Sequence, residues 1–190
     1  MKEEVILSIL PHKLREVFKR ENIDFQSIQE IRLRVGKPLI LLYKGSEVIP
    51  KVDGQIYHIT NEEIREMLDY ISGYSLYSYE REMSQGYITI EGGHRVGLSG
   101  QAIMENGKVK NLKYISSINV RMSHEILGCA DGLLPYITFH RRLYHTLLVS
   151  PPGCGKTTLL RDLIRQISEG NEFIKGMSVG VVDERSEIAG

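Results

Sequence analysis

The sequence predicts two folds in series: an α+β domain of helices and antiparallel strands over residues 1–128, and the start of an α/β domain over residues 129–190. Three observations predict them. Helical stripes and alternating strands fill the first part, with Asn106-Gly107 as a strong hairpin signal near its end. Next, the apolar run Thr146-Leu147-Leu148-Val149 leads into Ser150-Pro151-Pro152-Gly153-Cys154-Gly155-Lys156-Thr157-Thr158, which opens a helix. Finally, Ser178-Val179-Gly180-Val181-Val182 is a second apolar run after that helix, so the two runs read as buried strands of a β-α-β unit in a mostly parallel sheet.

The elements follow in order. Ile6, Ile9, Leu10, Leu14, Val17 and Phe18 recur at helical spacing, and Pro11 divides them into two short helices that pack on the following sheet or, in the alternative, lie on a membrane surface. Ile31-Arg32-Leu33-Arg34-Val35 and Leu39-Ile40-Leu41-Leu42-Tyr43 flank Gly36-Lys37-Pro38 and form a hairpin whose arginines lie on its solvated face. Thr60 and Glu63 have the spacing of a capping box, and the helix they open carries Ile64, Met67, Leu68 and Ile71 until Gly73 ends it. A further helix is predicted from Ser75 to Met83, with tyrosines that join helix to sheet or, alternatively, stack on bases. Tyr87–Ile90, Arg95–Ile103 and Ser117–Arg121 read as a meander, whose strand glycines mark a bulge or the close approach of another backbone or a ligand. His94 sits at a turn with no metal partner at suitable spacing and is read as structural. Residues 123–144 connect the two domains.

Composition narrows the function. The 24 basic and 24 acidic residues cancel, so no global field draws the chain to nucleic acid or an anionic surface. No apolar run is long enough to span a membrane, and the N-terminus lacks the pattern of a signal peptide. Cys129 and Cys154 stand in unrelated contexts and are read as reduced thiols of a cytosolic protein, with a redox role for Cys154 as the alternative.

The loop at 150–158 carries the chemistry. Glycines at 153 and 155 let the backbone curl so that its amides point at a phosphate, and the helix from Lys156 adds the positive end of its dipole. Lys156 then reaches the outer phosphates and the Thr157 hydroxyl becomes a magnesium ligand. Ser150 departs from the glycine usual at the first loop position. The plain alternative, a Gly/Pro-rich turn before a helix, leaves Gly-Lys-Thr after an apolar run unexplained. Asp183-Glu184-Arg185-Ser186-Glu187 follows the second run, at the edge where such sheets bind ligands; a solvated loop is the alternative there.

Taken together, Glu30–Arg34, Gly92–Leu98, Ser117–Arg121, the loop at 150–158 and Val182–Gly190 make the chain resemble, over its whole length, the stage III sporulation protein AA family of endospore-forming bacteria. That family is similar to the hexameric ATPases of type II and type IV secretion. The resemblance implies a RecA-like P-loop NTPase domain and MgATP as ligand. It also implies a homo-hexamer that energises or gates a secretion-like channel between mother cell and forespore from the cytoplasmic, mother-cell side, with channel components as partners. It assigns Asp183, Glu184 and Glu187 to the acidic box that orients water or metal, and Arg121, with Arg95, to the nucleotide. The secretion enzymes usually have Glu-Asp where this chain has Asp-Glu, which leaves the identity of the base open. The family's later motifs are expected beyond Gly190, so the chain is expected to be a truncated form that binds nucleotide without hydrolysing it. Two other classes stay open: an ATPase that binds nucleic acid, which the neutral charge disfavours, and a nucleotide-sensing adaptor that never hydrolyses.

Overall fold

The computed structural model describes residues 2–73, 75, 79–124, 126–140, 142–151, 153–183 and 188, in two compact units split between Ser123 and His124. The first unit opens with α1 (Lys2–Ile9) and α2 (His12–Arg20), separated at Pro11, whose missing N–H and fixed φ favour a helix start. Strands β1 (Ile28–Arg34), β2 (Ile40–Tyr43) and β3 (Ser46–Val48) follow, then a small hairpin of β4 (Lys51–Val52) and β5 (Gln55–Ile56). Helix α3 (Asn61–Ser72) starts on the anticipated capping box: Thr60 Oγ accepts from the Glu63 amide, and the Glu63 carboxylate accepts from the Thr60 amide at 2.8 Å. The Tyr57 hydroxyl donates to the same carboxylate, which is why a glutamate can stand buried there. Gly73, left-handed at φ 56°, closes the helix. The helix anticipated from Ser75 is shorter: α4 spans Glu80–Ser84, and residues 76–78 lie outside the described residues.

Strands β6 (Tyr87–Ile90), β7 (His94–Glu105) and β8 (Lys108–Arg121) complete an antiparallel six-stranded sheet in the order β3-β2-β1-β8-β7-β6. The expected closing strand is thus the end of a long one, hydrogen-bonded to β1 across most of the unit's sequence. Register turns alternation into rows across the sheet. Leu41, Ile31, Val120, Val96 and Ile88 form one inward row, packed in a single core with Leu10, Leu14 and Phe18 of the first helices and Ile64 and Met67 of α3. On the other face run Glu30-Arg121-Arg95-Thr89, Arg32-Asn119-Gly97-Tyr87 and Arg34-Ser117-Ser99. His94 is buried, and its Nδ1 accepts the Ser123 amide at 2.9 Å, the structural role anticipated for it.

The second unit holds a turn at 127–133, α5 (Leu134–Ile137), the short hairpin β9 (Thr138–Phe139) and β10 (Arg142–Leu143), and α6 (Lys156–Glu169). Its core is small: Ala130, Leu134, Ile137 and Leu163, with Leu148, Leu159, Ile167 and Phe173 packed on them. One expectation is corrected. The runs at 146–149 and 178–182 join no ladder among the described residues, and Leu147, Val149 and Val182 are largely exposed rather than buried. A strand is made by its pairing partner, and apolar sequence alone supplies none.

Candidate functional site

Helix α6 opens at Lys156, directly after the glycines of the sequence-predicted loop. Gly153 and Gly155 both adopt left-handed backbone, at φ 76° and 77°, conformations that cost a side chain about 1 kcal/mol or more. Gly155 is the N-cap of α6 and supplies no side-chain cap, so the first amides of a 14-residue helix keep their donors for an external acceptor. Lys156 turns back over the loop: its ammonium donates to Ser150 O at 2.9 Å, to Ser150 Oγ at 3.2 Å and to Pro151 O at 3.2 Å. Ser150, the departure from the usual glycine, thus contributes a hydroxyl to the lysine's seat. Thr157 and Thr158 stand half-buried in the first turn, and Cys154 is exposed. Pro152 lies outside the described residues.

A buried polar network fixes α6. Asp162, 2% exposed, accepts from the Ala130 amide at 2.9 Å, from Gln166 Nε2 at 3.0 Å and from Arg165 at 2.7 Å, and Gln166 also donates to Asp131 at 2.7 Å. Burial by itself would raise the Asp162 pKa, but the Ala130 amide, Arg165, Gln166 and the Gly128 amide outweigh it and hold the group at about 2. The Cys129 thiol, whose Sγ donates to Thr158 O at 3.5 Å, is pushed up instead by burial and the Asp162 charge. It is an inert packing thiol beside the loop helix. Sequence reading missed this network; its only trace was a polar Asp-x-x-Arg-Gln on the helix.

Of the acidic cluster, Asp183 is described: its carboxylate accepts from the Ile188 amide at 2.6 Å. Glu184 and Glu187 lie outside the described residues. No group of three or more His, Cys, Asp or Glu side chains among the described residues has a metal-binding arrangement.

Arg121 belongs to the first unit, at the end of β8 and exposed on the sheet face opposite the helices. It lines a hollow of about 280 Å³ with Arg95, Asn119, Tyr87 and Gly97. The Arg95 guanidinium lies 3.7 Å over the Tyr87 ring, and Asn119 donates to Glu30. The Glu30 carboxyl is held below its ordinary range, first by Arg32 and then by Asn119 and Arg121. A Cβ at Gly97 would make only ordinary contacts, the nearest at 3.7 Å to Asn119 O, so the fold does not demand glycine there and its absent side chain leaves the hollow open.

A model of sporulation stage III, protein AA, matches residues 1–190. The chain belongs to that family. Stage III sporulation protein AA of Bacillus subtilis (strain 168) is 42% identical over 187 residues, which cover 98% of this chain and 58% of that protein. This chain therefore spans somewhat over half the length of the curated relative it matches. Partial likenesses extend to solved structures, three of which follow. The Legionella pneumophila ATPase DotB is 15% identical with a TM-score of 0.47, over 86% of this chain and 43% of that one. The pilus retraction motor PilT with bound ADP is 14% identical with a TM-score of 0.43, over 80% and 43%. The VirB11 ATPase of the Brucella suis type IV secretion system, in complex with sulphate, is 11% identical with a TM-score of 0.34, over 82% and 43%. No helix among the described residues is long and apolar enough to cross a membrane.

Proposed function

We propose that the chain binds MgATP through Ser150–Thr158 and is part of an ATPase that energises or gates a secretion-like channel during sporulation. The observation that carries the reading is the loop: two left-handed glycines, a helix N-terminus without a side-chain cap, and a lysine ammonium held over the loop by its own oxygens. Those groups fit a polyphosphate. The α6 amides would take its oxygens, Lys156 would exchange its loop carbonyls for an outer phosphate, and the Thr157 hydroxyl would take the magnesium that neutralises part of the charge. Asp183, Glu184 and Glu187 are the carboxylates proposed to position water in the whole protein, with family membership behind the sporulation role. A homo-hexamer at the cytoplasmic, mother-cell side of a membrane channel belongs to the same proposal.

Lys156→Ala is expected to weaken MgATP binding by roughly ten- to a hundredfold, since a charge-assisted bond in such a cradle contributes about 1.5 to 3 kcal/mol. Calorimetric titration of wild type and variant reads this, and equal affinities would remove the loop from the site. Arg121 is proposed as a further cation for the nucleotide. Its exposed place at the end of β8 predicts that Arg121→Ala leaves the melting temperature almost unchanged while lowering the hydrolysis rate of the whole protein about a hundredfold or more. A large fall in melting temperature with normal turnover would make Arg121 structural.

A further inference from the structure

The first unit holds a second cavity, on the helix side of its sheet, of about 420 Å³. Leu68 of α3, Met83 of α4 and Ile115 of β8 form its apolar wall, a volume that suits one or two large side chains. Its shape comes from a bulge. Pairing passes from Ser99 opposite Ser117 to Gln101 opposite Lys113, so Gly100 alone faces residues 114–116. A Cβ on Gly100 would lie 2.6 Å from Lys113 O and 3.1 Å from Ile115 Cα, so only glycine lets the strands meet there.

The bulge forces Tyr114 to φ 50°, a left-handed conformation that is strained for a bulky residue, and the residue stands 79% exposed at the cavity. Glycine or asparagine would relax that backbone, so fold stability does not account for a tyrosine. Arg65 and Lys113 stand exposed at the rim, and neither forms an ion pair among the described residues. No carboxylate is among the described residues that line the cavity. In a chain of zero net charge, this is a local positive rim around an apolar floor.

We propose that this cavity docks an acidic amphipathic segment of a partner protein. An apolar side chain enters against Leu68, Met83 and Ile115, Tyr114 covers it, and flanking carboxylates pair with Arg65 and Lys113. Charge complementarity selects this occupant: the charged side chains among the described lining residues are both cations, and an exposed aromatic beside an apolar pocket is the usual anchor of a peptide interface.

The test is fluorescence anisotropy of the full chain with two labelled 12-residue peptides, one alternating Leu and Phe with Glu, the other with Lys in place of every Glu. The Glu peptide is expected to bind at least about tenfold more tightly than the Lys peptide, and the double variant Arg65→Glu, Lys113→Glu to reverse that order. Tyr114→Asn is expected to weaken the Glu peptide about fivefold or more while raising the melting temperature. No binding of the Glu peptide at millimolar concentration would overturn the proposal. So would indifference to the charge reversal, or unchanged affinity in Tyr114→Asn. Sedimentation without peptide separates a second copy of this chain, since self-association abolished by the double variant would give the cavity to that copy. Flotation with vesicles containing phosphatidylserine, abolished by the same variant, would give it to a membrane.

Discussion

Asp162→Ala is expected to destabilise the second unit by about 3 kcal/mol, because it strips a buried amide, a buried carboxamide and a guanidinium of their shared acceptor. Ala130 is fully buried, so its N–H would find no water, and Gln166 Nε2 would keep Asp131 alone of its two carboxylate acceptors. The 128–131 turn and α6 would then part, and α6 carries Lys156 and Thr157 in its first turn. Amide hydrogen exchange at Ala130 and along α6 should accelerate together, with little change in the β7–β8 amides of the first unit. The pH dependence has a definite sign. The folded pKa of about 2 lies below the ordinary 3.8, so the ionised form is favoured by folding. Its stabilisation, roughly 2 kcal/mol, is complete above about pH 4 and is lost as the pH falls toward 2. In Asp162→Ala that part of the acid transition should vanish. Wild-type exchange at Ala130 in the variant would show that the network is ornamental.

Gly170→Ala is expected to cost more than about 3 kcal/mol, since it combines a forbidden backbone conformation with a backbone collision. Gly170 ends α6 at φ 85° and ψ 160°, a region open to glycine alone. Its added Cβ would fall 2.4 Å from Gly176 N and 3.0 Å from Gly176 Cα. Gly176 is in turn pressed against α6, where its Cβ would lie 2.7 Å from Ser168 O. These two glycines let residues 171–177 fold back so that the Met177 amide reaches Ile167 O at 3.1 Å, while Asn171 Oδ1 takes the amides of Phe173 and Ile174. The variant should be cut by protease between residues 171 and 182 at concentrations that leave wild type intact. Resistance equal to wild type would mean that the turn can shift at little cost.

The same contrast separates what was readable from what was not. Pro11, the Thr60/Glu63 box, Gly73 and Asn106-Gly107 act within a few residues of themselves, so each could be read locally and each stands as read. The Gly-Lys-Thr loop is equally local, and its glycine conformations follow from lack of a Cβ. Position 100 was visible as one of several strand glycines, yet nothing in the sequence says that Lys113 O approaches it or that Tyr114 is turned outward.

By itself, the sequence determined the first two helices, α3 with its caps, the glycine turn that opens α6, and the alternation that sends Arg32, Arg34, Asn119 and Arg121 to one face; it overextended α4 and did not anticipate α5. Only the tertiary structure decided that β1 pairs with β8, which sets Glu30, Arg121 and Arg95 in one row, and that Asp162 is the buried tie between α6 and the 128–131 turn. It also decided that, among the described residues, the apolar runs at 146–149 and 178–182 stand outside any ladder. The reason is physical: caps, turns and left-handed glycines are set by bonds within a few residues, whereas strand pairing and buried charge depend on partners that the chain meets only after it has closed long loops.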